Sequence, residues 1–482
     1  MLKRHWHYLL LLFLLFDLGY SFWQYLQFPL DGDLALIVAP SEAYSQVLED
    51  PLGLRVLLNN EVYTAPNRFF AHFFLFQYFH RVPLWLQQLL RPLDSVYAAA
   101  AVLKLAVHAL LVYVLAVAIG NTRNVLSKPF LVPAVLITPL FQASGFNGQM
   151  GVIDYSITFV GFYALPISLL LLFFLPFVRE ALHGTPPRLS YLGYAGLLGL
   201  AVVLALNGPL IPAVALILCP AALLLGWYRR WVALPATKPW LKRAAAALGD
   251  LPKGKLLLFL FFSTLSLYSL YIGRNNAENV GLTVSLAERY ARLPLGVYYL
   301  LTSKLGFPLL VFALLANAWL IKRRVEAPLG TKALQALKWL GLFAVIYTVL
   351  LPLGGYRPYR EYIIRNDTIL PVLIGLIGCF ALSGYCLLLH LPPVARRRYA
   401  AALVAIAAFF TIADKPRSRD FNTCQRQQLA LLAAAPEPIV RLSADCPVLN
   451  WRPSADYHDS EVPSSLLAHW GVTSTKKLYY QQ

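Results

Sequence analysis

Eleven apolar stretches run through this chain, and they constrain its fold more than any other feature. A membrane-spanning helix needs about 20 mostly apolar residues, or fewer where neighbouring structure buries it. The stretches cover 8–27, 95–119, 129–143, 156–178, 190–206, 209–227, 256–272, 305–321, 338–353, 368–390 and 399–413. Charged residues make up 13% of the chain, against about 25% in soluble domains. The pattern predicts an all-α polytopic membrane protein with about 11 transmembrane helices.

The basic residues predict the orientation of these helices. With the N-terminus in the cytoplasm, the cytoplasmic segments hold 21 of the 41 Lys and Arg residues and three of the 23 acids, which accounts for the whole formal charge of +18. Basic residues stay on the cytoplasmic side during membrane insertion. We therefore expect a cytoplasmic N-terminus, an extracytoplasmic C-terminus and the inner membrane of a bacterium. Insertion explains the charge without a nucleic-acid partner.

Two units follow from this topology, a multi-span membrane domain over 1–413 and a small α+β extracytoplasmic domain over 414–482. The first span is expected to be retained, because no small-x-small cleavage site follows it and Asp17 interrupts it. In the tail, Asn422 and Thr423 are expected to cap a helix, and "PIVRLSA" is expected to form a strand. The inward face of that helix is assigned to Leu429, Leu431 and Leu432. Cys424 and Cys446 lie on the oxidising side, and we expect them to form a disulfide.

The longest outer loop, 31–94, opens with "DGD", which places Asp31 and Asp33 directly after the first span. Asp-Gly is also a common turn dipeptide, so a plain turn is the alternative. Further along, an aromatic-rich stretch predicts a helix lying in the membrane interface, with His72 and His80 as interfacial residues.

Later outer segments carry amides, one further acid and several arginines. Asn147 and Asp154 lie in the second segment and Arg274 in the fourth. The fifth segment holds Arg357, Tyr359, Arg360 and Arg365. A guanidinium fork matches phosphate oxygens, so these arginines favour a bound anion. Alternatively, they contact anionic headgroups or pair with nearby acids, Glu361 and Asp367.

Many spans, an acidic motif directly after the first span, interfacial helices in the first loop and a soluble tail together resemble the GT-C class of membrane glycosyltransferases. The resemblance implies transfer of a sugar from a polyprenyl-phosphate donor to a lipid, glycan or protein acceptor on the outer face. It makes Asp31 and Asp33 the first-loop acidic motif and Asp154 the second-loop acid. The tail lacks an oligosaccharyltransferase-type signature, and no subfamily is assigned.

Sugar transfer of this kind needs a base for the acceptor proton and cations for the leaving phosphate. Asp31 and Asp33 are the predicted catalytic pair, with Asp31 as the first choice of base. The phosphate is assigned to Arg357, Arg360, Arg365 and Arg274, and Asn147, Asp154 and Tyr359 complete the predicted site. A divalent cation, Mg²⁺ or Mn²⁺, would bind Asp33 and Asp154, since both cations prefer oxygen ligands.

Three ionisable residues fall inside predicted spans, where their burial is costly. They are Asp17 in the first span and Lys104 and His108 in the second. An Asp17–Lys104 pair between the two helices is the structural interpretation, and a proton or ion path is the competing one.

Three other functions compete with sugar transfer from a lipid phosphate: a polysaccharide polymerase or ligase, a transporter or flippase, and a non-catalytic assembly role. A polysaccharide polymerase or ligase also uses outer arginines, but its largest outer loop is expected late in the chain. A transporter or flippase is expected to show paired hydropathy repeats and broken helices, and we find no convincing internal repeat.

Overall fold

The protein is helical over most of its length. The computed structural model describes residues 7–141, 150–187, 189–235, 239–279, 284–356, 360, 362–414 and 419–482. Within these residues, eight helices are long and apolar enough to cross a membrane. They are α1 (His7–Tyr25), α6 (Pro92–Gly120), α8 (Ile157–His183), α10 (Leu210–Ala233), α12 (Lys253–Gly273), α15 (Gly306–Arg324), α16 (Pro328–Leu350, continued by a 3₁₀ turn to Gly354) and α17 (Asn366–His390).

The other helices are shorter, more polar or outside the membrane unit. They are α2 (Asp33–Val38), α3 (Glu42–Glu49), α4 (Leu54–Asn59), α5 (Phe69–Leu86), α7 (Lys128–Ile137), α9 (Tyr191–Ala205), α11 (Trp240–Gly249), α13 (Leu286–Ala291), α14 (Leu293–Thr302), α18 (Pro393–Ala413), α19 (Arg419–Ala434) and α20 (Glu461–His469). Two strands, β1 (Ile439–Leu442) and β2 (Leu478–Gln481), complete the described elements.

The chain is therefore a multi-pass, all-α membrane protein, and the predicted count of eleven spans is not confirmed. The predicted stretches 129–143 and 190–206 correspond to α7 and α9, which are short apolar helices. The stretch 399–413 falls in α18, whose 21 residues include three consecutive arginines. In the part of the chain that the structure describes, eight helices satisfy both length and hydropathy.

Helices α6, α8 and α17 form the interior of the bundle. Helix α6 packs against α1, α5, α7 and α8, and α17 packs against α7, α15 and α16. Small residues on the buried face of α6, including Ala99 and Ala101, allow these close approaches. The arrangement brings the N-terminal ends of α6, α8 and α17 toward the segment that follows α1.

The first outer segment folds into helices α2 to α5. The helix predicted from its aromatic residues is confirmed as α5, and Leu75 and Phe79 on this helix are buried. His72 is not interfacial as predicted, because its ring is buried and stacks on Phe162 with the centroids 5.2 Å apart. His80 lies beside His469 of the tail, with ring centroids 4.6 Å apart.

The tail contains helix α19, a parallel strand pair and helix α20. Ile439 pairs with Leu478 and Leu442 with Gln481. The predicted strand and the predicted Cys424–Cys446 disulfide are both confirmed. The predicted helix start is wrong, because Asn422 and Thr423 lie inside α19. Leu431 is 59% exposed rather than inward-facing, whereas Leu429 and Leu432 are buried as predicted.

Helix α19 attaches the tail to the membrane unit beside the acidic motif. Gln425 accepts from the backbone N–H of Leu30 (2.8 Å) and donates to its carbonyl (3.0 Å). The Tyr97 hydroxyl donates to the same Gln425 oxygen (2.7 Å). The next residue, Arg426, pairs with Asp94 at 2.7 Å. These contacts fix the tail against the residues that precede Asp31.

Candidate active site

Asp31 is a buried carboxylate held by a dense set of donors. The Ser156 hydroxyl (3.0 Å), the Thr158 hydroxyl (2.9 Å) and the Thr158 N–H (3.1 Å) all donate to it. The Asp33 N–H donates as well, at 3.1 Å. Four hydrogen bonds satisfy most acceptor positions of a carboxylate. Asp31 therefore joins the first outer segment to the start of α8 and has little capacity left for a substrate.

Asp33 is the more accessible member of the pair. It is half-buried at the start of α2, and its carboxylate accepts from the indole N–H of Trp451 in the tail (2.7 Å). Burial is the main cause that raises the pKa of Asp33 above its usual range, and the nearby charges of Asp31 and Glu278 raise it further. The Trp451 hydrogen bond and the charge of Arg360 act in the opposite direction.

Asp154 is the third acid of the site. It accepts from the Ser156 N–H (2.8 Å) and from the side-chain amide of Asn366 (3.1 Å), the first residue of α17. Burial raises the pKa of its carboxyl, and the positive charge of Lys104 partly offsets this effect. Asp154 thus links the start of α8 to the start of α17.

Lys104 extends from α6 toward these acids. It is 1% exposed, its Nζ donates to the Tyr155 carbonyl, and the Nζ lies 4.5 Å from the centroid of the Phe28 ring. Its charge acts on both Asp154 and Asp31. A buried cation beside two buried acids reduces the cost of keeping those acids ionised. Lys104 is therefore the electrostatic partner of the acidic site.

The predicted Asp17–Lys104 pair is wrong. Asp17 instead accepts from the Thr138 hydroxyl at 2.7 Å. Thr138 also contacts a ring nitrogen of His108 (3.2 Å), and the other nitrogen of that ring contacts the Tyr25 hydroxyl (3.0 Å). This chain of buried polar groups joins α1, α6 and the end of α7. It satisfies groups that would otherwise be costly to bury.

The predicted phosphate-binding arginines occupy different environments. The positive charge of Arg360 lowers the pKa of Asp33. Arg365 forms a bidentate pair with Asp367, at 2.9 and 2.7 Å, which agrees with the ion-pair alternative. Arg274 is exposed, and its guanidinium lies 4.1 Å from the Tyr271 ring centroid. The predicted residues Asn147, Arg357 and Tyr359 lie outside the described residues.

A π-helical turn at the start of α8 adds a region that sequence reasoning missed. Val160–Ala164 forms this turn, two residues after Thr158. Such turns often occur at functional sites. Tyr163 on this turn lies within electrostatic range of Arg68 and Arg360. The guanidinium of Arg68 lies 4.7 Å from the centroid of Phe162. Arg68 was not predicted, because only the fold brings it from the first outer segment to α8.

The acids do not form a three-ligand metal cage. Among the residues that the structure describes, no group of three or more His, Cys, Asp or Glu side chains is arranged to hold a metal. Asp31 and Asp154 already accept two or more protein hydrogen bonds each. The divalent cation predicted at Asp33 and Asp154 therefore stays a prediction, and no reaction step is assigned to it.

Comparison with known proteins does not assign a family to this chain. No protein-family model matches the sequence, and no curated protein matches it.

Proposed function

We propose that this protein is a membrane glycosyltransferase that moves a sugar from a polyprenyl-phosphate donor to a lipid, glycan or protein acceptor. The observation that carries the proposal is the environment of Asp33. This carboxylate is half-buried, has a raised pKa, and lies beside a satisfied acid and within range of Arg360. A base with a raised pKa and a nearby cation are what transfer from a lipid phosphate needs.

Asp33 is the proposed base, in place of Asp31, which is the first choice from sequence. The acceptor hydroxyl oxygen attacks the anomeric carbon, and its proton passes to the Asp33 carboxylate. The bond between that carbon and the phosphate oxygen breaks, and the phosphate leaves with the electron pair. Arg360 balances the charge on the leaving phosphate, with Arg357 as a second predicted contact. Asp31 orients the loop, since its own oxygens are occupied.

The proposed topology has eleven spans, a cytoplasmic N-terminus and the acidic site on the outer face. In whole cells, a membrane-impermeant thiol reagent is expected to label a cysteine placed at Asn450 and to miss one placed at Lys332. Asn450 lies in the tail. The charge distribution places Lys332 at the opposite, cytoplasmic end of the bundle. Labelling of the Lys332 position, without labelling of the Asn450 position, would reverse the orientation and contradict the outer-face proposal.

The direct test is transfer by the purified full-length protein in proteoliposomes. Radiolabelled polyprenyl-phosphate hexoses and pentoses are supplied one at a time with a membrane-lipid extract that contains acceptors. We expect one donor to yield a labelled product that the Asp33→Asn variant does not form. Donor that crosses the bilayer unchanged would favour the flippase alternative. Growth of a polymer from lipid-linked oligosaccharides, with no use of monosaccharide donors, would favour a polymerase.

A further inference from the structure

Trp451 is an exposed tryptophan on the tail, next to the proposed base. Its side chain is 44% exposed although its indole N–H is already bonded to Asp33 at 2.7 Å. Exposed aromatic residues on the spanning helices face lipid, whereas Trp451 lies on a loop between β1 and α20. An indole ring that is partly open to solvent beside a carboxylate offers an apolar surface to a ligand.

The position of Trp451 is set by close backbone packing. A Cβ atom at Gly32 would lie 2.5 Å from the backbone nitrogen of Trp451, so only glycine fits between the two acids of the motif. The Trp451 N–H donates to the Asn450 side chain (2.8 Å), and Leu449 before it has a positive φ of 47°. Non-glycine residues rarely adopt this conformation, and such strain is concentrated at functional sites.

Two further contacts connect this loop to the acidic motif. The Cys424–Cys446 disulfide joins the start of the loop to α19. On the same helix, Gln425 bonds both to Leu30 and, at 3.3 Å, to the carbonyl of Pro447. The loop and the motif are thus held by the same side chain.

Phe159 provides a second ring at this place. Its centroid lies 6.2 Å from that of Trp451, with the ring planes inclined by 50°. Phe159 follows Thr158, which bonds Asp31. The two rings and the Asp33 carboxylate are therefore neighbours, which places an apolar surface beside an acid.

We propose that Trp451 and Phe159 form an aromatic platform that binds a pyranose ring beside Asp33. The C–H face of a pyranose is apolar and packs on an aromatic ring, while its hydroxyls reach an adjacent carboxylate. The platform deepens the proposed function and rests on it in one respect, that the bound sugar belongs to the donor or the acceptor of the transfer reaction. Binding itself does not depend on transfer.

Saturation-transfer NMR tests the platform on the full-length protein in lipid nanodiscs. The probes are the methyl glycosides of glucose, galactose, mannose and N-acetylglucosamine. We expect at least one glycoside to receive saturation on the protons of one ring face. Trp451→Ala is expected to abolish the signal, and Trp451→Phe to retain part of it because a ring remains. Phe159→Leu, a second and milder change, is expected to weaken it.

Trp85→Ala is the matched control, since Trp85 is a 64% exposed tryptophan on α5 away from the acids. It is expected to keep the wild-type signal. An unchanged signal in folded Trp451→Ala protein, or no signal with any glycoside in the wild type, would overturn the platform.

The kinetic readout separates the two sources of the sugar and the two proposals. Trp451→Ala is expected to raise KM by about tenfold for the substrate whose sugar binds here. The affected substrate, donor or acceptor, identifies the source. Transfer with both KM values unchanged would overturn the platform and leave the glycosyltransferase proposal standing. If glycoside binding depends on Trp451 but the protein transfers no sugar, the platform stands and the glycosyltransferase proposal is overturned.

Discussion

Replacing Asp33 with asparagine is expected to reduce the rate of sugar transfer by about 10²- to 10⁴-fold, the usual effect of losing a general base. Asparagine keeps the shape of the side chain and an oxygen that accepts the Trp451 hydrogen bond, but it takes up no proton. The measurement is kcat with saturating donor and acceptor in proteoliposomes. Glu42→Gln, which removes an exposed acid of the same segment, is the control and is expected to retain activity.

The stability of this variant distinguishes a base from a structural acid. Folding raises the pKa of Asp33, so this group favours folding below its unfolded pKa, and that contribution is lost as the pH rises through the folded pKa. Asp33→Asn should therefore be at least as stable as wild type at neutral pH. Asp31→Asn should unfold at a lower temperature, because one amide oxygen cannot accept the bonds from Ser156 and Thr158. Wild-type turnover in folded Asp33→Asn would identify "DGD" as a turn.

The pH dependence of sugar transfer by the wild-type protein follows from the raised pKa of Asp33. Transfer needs ionised Asp33, so kcat/KM should fall on the acidic side. Its midpoint should lie above the pKa of 3.8 that an unperturbed aspartate has in water.

Replacing Lys104 with methionine is expected to lower the free energy of unfolding by about 3 to 5 kcal/mol, the usual effect of removing one partner from buried opposite charges. Methionine keeps the apolar stem that lies beside Phe28, so the change isolates the charge. Adding Asp154→Asn should restore part of the loss. Equilibrium unfolding of the detergent-purified variants gives the coupling energy, expected to be at least about 1 kcal/mol. If the effects of Lys104→Met and Asp154→Asn on the free energy of unfolding are strictly additive, the two residues do not interact, and Lys104 is not the electrostatic partner of the site.

A matched control and a pH test are available for this prediction. Lys255 pairs with Glu180 at 3.4 Å near the surface, with about a third of each side chain exposed. Lys255→Met should therefore cost less than about 1 kcal/mol. In Lys104→Met the pKa of Asp154 rises further, so Asp154 binds a proton at a higher pH than in wild type. The stability deficit should then be smaller at about pH 5 than at about pH 8.

Sequence reasoning located the membrane helices and the tail disulfide, because both leave local signals. A run of apolar residues marks each span, and the tail contains only two cysteines, Cys424 and Cys446. The count of eleven spans is not confirmed, since α7 and α9 are apolar but short, and α18 carries a run of arginines at its start. Hydropathy alone does not show how much of such a helix is covered by its neighbours.

The sequence predicted only those site residues whose side-chain type and whose position relative to the spans both indicated the site. Asp31, Asp33 and Asp154 are acids on one face, and the structure brings Asp31 and Asp154 to the same short segment, since Ser156 bonds both. The hydroxyls in "DYSIT" were a usable signal, because residues 156 and 158 follow the second-loop acid directly.

Other partners could not be derived from local patterns. Lys104 and His108 share a helix face at i, i+4, yet Lys104 turns toward Tyr155 while His108 meets Thr138. Helical spacing assigns a face but does not select the neighbour. Trp451 lies more than 400 positions from Asp33, and only the docking of the tail joins them.

The most direct test of the proposed function is a structure of the full-length protein in nanodiscs with a phosphonate analogue of a polyprenyl-phosphate hexose. In this analogue a methylene group replaces the oxygen that is lost with the phosphate. We expect the sugar to lie between Asp33 and Arg360, with its anomeric carbon open to an acceptor hydroxyl that reaches the Asp33 carboxylate and its phosphonate toward the guanidinium. A headgroup bound at the opposite membrane face, or bound away from the "DGD" motif, would contradict the glycosyltransferase proposal.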